Sequence, residues 1–355
     1  AGVLAFGERG EALMRLLPCA GVGARSWLPG VVAVAVFLAA VCVSLMVGSY
    51  TMTPGEVVAT LMGQGSKLQN FAVLQTRLPR SVLAVLVGTA LAFSGGILQG
   101  VTRNPLAEPG MIGINAGAAL AVVLWISAQT SAYYSQLDLF ASVGMPVVAA
   151  MGALLSTGLV YALSHNHGIR PVRFILTGIG VNGGILAIIT YFQLAMSKGS
   201  YNQVLTWTNG SLWGSSWTYI ALVAPLILAV VAIVLAKAPS LDALALGDEL
   251  ACGIGVNVSR QRAAVVVLAA LLAAFATAVA GSIAFLGLLG PQIARRLVGP
   301  RARVMLPMAA VVSSVILVVA DTVARNAFSP IEIPVGVVVA VIGVPYFIYL
   351  MIKEK

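Results

Sequence analysis

The feature that most constrains this chain is the recurrence of apolar runs about as long as a hydrocarbon layer is thick. A helix needs roughly 20 consecutive apolar residues to cross about 30 Å of acyl chain. Ten such runs, some short, can be drawn between breaks of charge, Pro or Gly/Ser/Asn clusters. They cover about 28–48, 81–101, 112–129, 141–163, 172–196, 217–236, 262–281, 283–298, 304–323 and 334–352. With 60% of 355 residues hydrophobic and only 9% charged, a soluble fold could not cover its core with ionic groups. The reading is an all-α polytopic membrane protein with one transmembrane domain over 28–355.

Orientation follows from the basic residues, which accumulate in cytoplasmic loops. With the N-terminus inside and ten crossings, fifteen Lys and Arg fall on the cytoplasmic side. Five fall outside: Lys67, Arg77, Arg80, Lys198 and Arg325. Both termini are therefore expected in the cytoplasm. Residues 1–27, with Glu8, Arg9, Glu11, Arg15 and Arg25, are too charged for a signal peptide and are expected to form a cytoplasmic tail. The chain lacks an initiator Met, so its true start is expected upstream.

The net charge of +9 does not point to nucleic acid, because the charges lie in short breaks and no basic stripe is interleaved with aromatics. Cys19, Cys42 and Cys252 are far apart and match no metal or redox spacing. His165 and His167 share a loop without a carboxylate or Cys beside them, so neither a metal site nor a catalytic constellation emerges. No Gly-rich loop ending in Lys-Ser/Thr is present; an ATPase driving this chain would be another polypeptide. Asp138, Asp321 and Glu332 sit near the outer ends of spans, and no acidic residue falls deep inside one. Ion-coupled carriers place ionisable groups near the midplane, so this pattern weighs against an ATP-independent secondary carrier.

Three features stand out. The cytoplasmic stretch 241–258 carries Leu244, Leu246, Leu250 and Ile254 at near-helical spacing, Asp248 and Glu249 between them, and breaks at Gly247, Gly253 and Gly255. Two short amphipathic helices docking a soluble partner fit this pattern. A helix on the membrane surface is the alternative, but acidic residues suit an anionic leaflet poorly. At the outer face, Arg77, Arg80 and Arg325 could bind carboxylates bidentately. Alternatively Arg325 pairs with Asp321 four residues earlier, and the other two snorkel. The run 283–298 is short and interrupted by Gly287, Gly290 and Pro291, which suits either an interior element beside a pathway or a kinked packing helix. Gly96 with Gly100, Gly113 with Gly117, and Gly336 with Gly343 suit close helix approach.

The strings Arg77-Leu-Pro-Arg80, Gly88-Thr-Ala-Leu-Ala92, Gly95-Gly-Ile-Leu-Gln99 and Arg103-Asn-Pro-Leu-Ala-Glu-Pro-Gly-Met-Ile-Gly113 resemble the FecCD-type permeases. So do Leu244-Ala-Leu-Gly-Asp-Glu249, Gly281-Ser-Ile-Ala-Phe-Leu-Gly287, Pro291-Gln-Ile-Ala-Arg-Arg296, Ala320-Asp-Thr-Val-Ala-Arg325 and Glu332-Ile-Pro-Val-Gly336. The matches run in order from about residue 50 to the end. These permeases belong to ABC importers of iron siderophores, haem and vitamin B12 in the bacterial cytoplasmic membrane.

The resemblance implies ten transmembrane helices, a second permease subunit (identical or homologous), two ABC ATPase subunits and an extracytoplasmic substrate-binding protein. It makes Arg77, Arg80 and Arg325 the docking residues for that protein. It also makes Leu244, Leu246, Gly247, Asp248, Glu249, Leu250, Gly253 and Gly255 the ATPase-coupling loop. No cofactor and no resident metal are implied, and Gln292 stands where many members carry His. Asn115-Ala-Gly-Ala118 is most similar to the ferric-siderophore members, with haem and vitamin B12 as alternatives. The polar or small residues of the fifth run, Thr177, Gly180, Asn182, Gly183, Tyr191 and Gln193, are pathway candidates, with interhelical hydrogen bonding as the other reading.

Overall fold

A computed structural model describes residues 28–48, 50–128, 138–164, 171–327 and 331–353. The tail 1–27, Cys19, His165 and His167 lie outside the described residues. Among the described residues the chain is helical and contains no strand.

The helices are α1 (Leu28–Met46), α2 (Pro54–Leu61), α3 (Leu78–Thr102), α4 (Ile114–Ala128), α5 (Asp138–Ser164), α6 (Pro171–Ala195) and α7 (Lys198–Thr208). They continue with α8 (Trp217–Ala236), α9 (Ala238–Ala245), α10 (Asp248–Gly253), α11 (Val258–Ala280), α12 (Leu286–Val298), α13 (Ala302–Asn326) and α14 (Val335–Lys353). Each apolar run coincides with a helix, and seven of the helical segments are long and apolar enough to cross a membrane by length and composition.

α3 is the axis of the molecule, packed by α11, α12 and α13. Its residues Ala90–Gln99 are all buried, and half of them are small: Ala90, Ala92, Ser94, Gly95 and Gly96. Small side chains let backbones approach where no hydrophobic drive favours helix association in lipid. A methyl group placed on Gly95 would collide with the Gly287 carbonyl, and one on Gly117 with the Gly152 carbonyl. The outermost helices show the opposite character: α1 exposes Leu28, Val32 and Leu38 by more than half. In a chain of this kind such faces meet acyl chains or another subunit.

Of the helices that coincide with the apolar runs, two are too short to span. At 1.5 Å per residue, α4 with 15 residues measures about 22 Å and α12 with 13 about 20 Å. Each follows a long helix and a non-helical stretch, α4 after α3 and residues 103–113, α12 after α11 and residues 281–285. The 103–113 stretch holds only the single 3-10 turn Pro109–Ile112. It does not stay at the end of α3, where the break after the second run would place it. A methyl on Gly287 would lie 2.9 Å from Pro109 Cδ and 3.0 Å from the Leu91 carbonyl oxygen. Leu91 stands eleven residues before the end of α3, so Pro109 returns about 16 Å along that helix.

This return corrects one expectation. Glu108 is an acidic residue deep among the spanning helices, in a segment that reads as a connection because it is polar and rich in Pro and Gly. Its carboxylate is held internally: Oε2 accepts the Phe285 N–H at 3.0 Å. Irregular backbone at membrane depth needs such partners, since lipid offers none. The rest of the segment is held likewise. Gln292 Nε2 donates to the Pro105 carbonyl at 2.6 Å and Asn182 Nδ2 to the Gly110 carbonyl at 3.1 Å; just past the segment, at the head of α4, Thr277 Oγ1 bonds Asn115 Oδ1 at 3.3 Å. The interrupted α12 is thus an interior element, buried from Leu286 through Gln292.

Candidate functional site

The outer arginines converge at the end of α1. An α-helix leaves its last carbonyls without internal partners and carries partial negative charge there. Arg77 Nη1 donates to the carbonyls of Leu45 at 2.7 Å and Met46 at 3.2 Å, and Nη2 donates to that of Tyr50. Arg325 Nη2 reaches the Ser44 carbonyl at 3.2 Å and its Oγ at 2.9 Å. Arg80 instead makes ion pairs, Nε to Asp321 Oδ1 at 2.8 Å and Nη1 to Glu332 Oε2 at 2.9 Å. Asp321 also takes Arg325 Nε at 3.2 Å, so the i,i+4 pairing on α13 is present. Arg77 and Arg80 are buried, and the accessible member of the cluster is Glu332, whose side chain is 37% exposed. Two guanidiniums, Arg80 and Arg325, thus share the two carboxylates, while Arg77 is engaged by backbone carbonyls.

On the opposite side, α9 and α10 form a bent pair. The bend is Gly247, whose φ of 116° lies in a region that side chains avoid. Leu241 and Leu244 are buried and anchor the pair to the body, whereas Leu246, Leu250 and Ile254 are each more than 60% exposed. Leu250 and Ile254 are four apart beyond the bend and share one face, Leu246 stands just before it, and Asp248 and Glu249 beside them are exposed. Asp248 is held by Arg262 Nη2 at 2.6 Å and by Arg103 Nη2, at the end of α3. The Arg262 hydrogen bond, with help from the Arg103 charge and against some desolvation, keeps the Asp248 carboxyl below its usual range. Asp242 Oδ1 accepts the Ala302 N–H at 2.7 Å and so caps the first turn of α13. The bent pair is therefore tied to α3, α11 and α13. A cavity of about 260 Å³ lies behind it, lined by Gln99, Arg103, Asp242, Arg295 and Met305 among others.

The fifth-run candidates divide. Asn182 turns inward to the re-entrant turn and acts in packing, and Thr177 and Gln193 are half-buried. Gly180, Gly183 and Tyr191 lie on an outward stripe of α6, where Tyr191 is 71% exposed and nothing among the described residues comes within 4 Å of a methyl group added at either glycine. Among the described residues no group of three His, Cys, Asp or Glu is placed to hold a metal. Sequence reasoning missed Glu108 and Glu332 as partners; the break at 281–285 opposite a Pro/Gly-rich stretch was the available signal.

Comparison with known proteins follows this geometry. The sequence profile of the FecCD transport family matches residues 36–353. The chain is 43% identical over 314 residues to the iron(3+)-hydroxamate import system permease protein FhuG of Bacillus subtilis, covering 88% of this chain and 93% of that protein. It is 40% identical over 311 residues to the Fe(3+)-citrate import system permease protein YfmE of the same organism, covering 87% and 90%. The ferric enterobactin transport system permease protein FepG of Escherichia coli is 36% identical over 311 residues, again covering 87% and 90%. A solved structure, described as an inward-facing conformation of a metal-chelate type ABC transporter, superposes with a TM-score of 0.78 at 28% identity, covering 90% of this chain and 97% of that one.

Proposed function

From the premise that this chain belongs to the FecCD transport family, we infer that it is the membrane-spanning permease subunit of an ABC importer carrying a ferric siderophore into the cytoplasm. It is a transport component, and ATP hydrolysis belongs to a separate partner. The observation that carries the reading is the bent α9–α10 pair. It presents three exposed leucine and isoleucine side chains to the aqueous side, yet is bound to α3, α11 and α13 by charged and capping contacts. An apolar stripe backed by a rigid frame fits a partner that pushes.

Ten crossings with both termini inside, in a bacterial cytoplasmic membrane, agree with the distribution of basic residues. The assembly we propose has a second permease, two ATPases bound at Leu246, Leu250 and neighbouring residues, and a binding protein outside. That protein docks at the arginine cluster, its carboxylate entering at Arg80 by displacing Glu332, while Arg77 and Arg325 supply the remaining positive charge. The outward stripe of α6 at Gly180, Gly183 and Tyr191 faces the second permease across the pathway. Alternating access moves the chelate intact.

The test is reconstitution of the complete complex in proteoliposomes with ATP enclosed. A panel of labelled ferric hydroxamate, ferric citrate, ferric catecholate, haem and cobalamin is offered with the binding protein. ATP-dependent import of a ferric siderophore is expected; accumulation by the permease alone, or import of haem or cobalamin only, overturns the reading.

A further inference from the structure

The re-entrant segment 103–113 links the two sides of the molecule. It begins at Arg103, a cap residue with φ 52° whose guanidinium holds Asp248 of the bent pair. It ends at Gly113, where α4 starts outward. Between them, Pro105 is tied to α12 through Gln292, and Gly110 to α6 through Asn182. The Glu108 bond differs in being made to unwound backbone, the N–H of Phe285 just before α12.

That N–H is a demanding group. Phe285 caps α12 with φ 64°, a conformation uncommon for a bulky residue that persists only when the surroundings enforce it. The first N–H groups of a helix lack internal partners and carry partial positive charge. At membrane depth no water replaces a missing acceptor. Glu108 supplies an acceptor from a different interrupted element, so the two half-helices share one joint. Around the joint, Gly95 packs against Gly287 without room for a methyl, and Gln99 Nε2 donates to the Gly287 carbonyl at 3.4 Å.

We propose that Glu108 is a positioning residue for transport. Its bond to Phe285 locks the re-entrant segment to the head of α12, so a displacement of the cytoplasmic loop at Asp248 reaches both interrupted helices as one body. The proposal rests on the ATP-driven reading above. It also assigns the carboxylate a role as hydrogen-bond acceptor, which the amide oxygen of Gln can fill.

The experiment uses the complete complex in proteoliposomes and reads chelate imported per ATP hydrolysed. Glu108→Ala is expected to lower that ratio about tenfold while binding-protein-stimulated hydrolysis persists; Glu108→Gln is expected to stay within about twofold of wild type. A purely structural role would lower both activities together. Because Glu108→Ala could fail to assemble, a second measurement uses otherwise wild-type protein with spin labels at Leu106 and Ile293. Their separation should hold within about 2 Å between nucleotide-free and ATP-bound states, the scale of ordinary helix shifts. An unchanged ratio in Glu108→Ala, a Gln variant as defective as Ala, or a larger change between the labels overturns the proposal. If the wild-type complex itself shows no ATP-dependent import, the failure lies in the transport reading, and that is seen before any variant is compared.

Discussion

Arg80 and Asp321 stand 241 residues apart in sequence and meet at 2.8 Å, Nε to Oδ1, with both side chains more than nine-tenths buried. The pair joins α3 to α13, the axial helix to its main neighbour. Asp321 also pairs with Arg325, so its loss takes a carboxylate from two buried guanidiniums at once, leaving Arg80 with Glu332 and Arg325 with Ser44. Breaking a buried pair by removing one partner costs about 3–5 kcal/mol, because the survivor stays buried and uncompensated. Asp321→Ala should therefore lower the thermal midpoint of the detergent-purified protein sharply. Replacing Asp321, Arg80 and Arg325 together by apolar residues of similar volume should recover much of the loss.

Glu332 should behave differently. Its exposed carboxylate competes for Arg80, and exposed ion pairs are worth about 0–1 kcal/mol. Glu332→Gln should leave the melting behaviour nearly unchanged and tighten binding-protein association by up to about fivefold. Charge reversal of Arg77 with Arg80 should abolish association. Surface plasmon resonance on nanodisc-embedded complex measures both, and weaker association of Glu332→Gln would exclude the displacement route.

The stripe on the bent pair makes a separate prediction. Burying a leucine-sized side chain contributes about 1.5–3 kcal/mol. Changing Leu246, Leu250 and Ile254 together to Ser should weaken ATPase co-purification by at least about tenfold, with membrane insertion intact. Retention of the ATPase after that change would place its contact elsewhere.

Acidification probes Asp248. Its carboxyl is held below the ordinary value, chiefly by Arg262. A depressed carboxylate contributes stability that is complete above the unfolded value of about 4 and is lost as pH falls through the folded one. Between pH 5 and 8 hydrogen exchange over residues 246–257 should therefore be flat once corrected for intrinsic rates. Asp248→Asn should raise exchange there at pH 7. An equal rise in wild type between pH 7 and 5 would contradict the assignment.

Two glycines give a paired test of the pathway. Gly183 has open space where a side chain would go, whereas Gly117 is pressed against Gly152. Gly183→Leu should leave folding and stimulated ATP hydrolysis intact yet depress import, since it fills space on the face proposed to line the pathway. Gly117→Leu should reduce folded yield instead. Normal import by Gly183→Leu would remove that face of α6 from the pathway.

The helices were legible in the sequence because lipid enforces long apolar runs, and α8 agrees with its predicted run 217–236 at both ends. The bend at Gly247 was legible because a glycine divides two amphipathic stretches. The alternative partners offered for Arg325 included the right one, Asp321, since i,i+4 spacing is local information. What stayed hidden was everything set by distant chain segments. Nothing near Arg77 says that its guanidinium will cap α1. Nothing in Asn-Pro-Leu-Ala-Glu-Pro says that a polar, Pro-rich stretch turns back among the spans, because local polarity favours water until a partner such as the Phe285 N–H is available. The burial of Leu244 beside the exposure of Leu246 likewise depends on the body against which α9 packs.

The half-length helices also reverse an ordinary expectation about where a membrane protein is soft. In a bundle of full-length spans the weakest backbone lies at the two water-facing rims, and the middle is sealed by uninterrupted ladders. Here residues 104–113 and 281–285 interrupt those ladders, and Glu108, Pro109 and Phe285 do so among the packed helices. In the proposed rocking motion, entering water would find the amides of those breaks first. Deuterium uptake during turnover should accordingly peak at mid-depth, making the interior of this protein its most responsive clock.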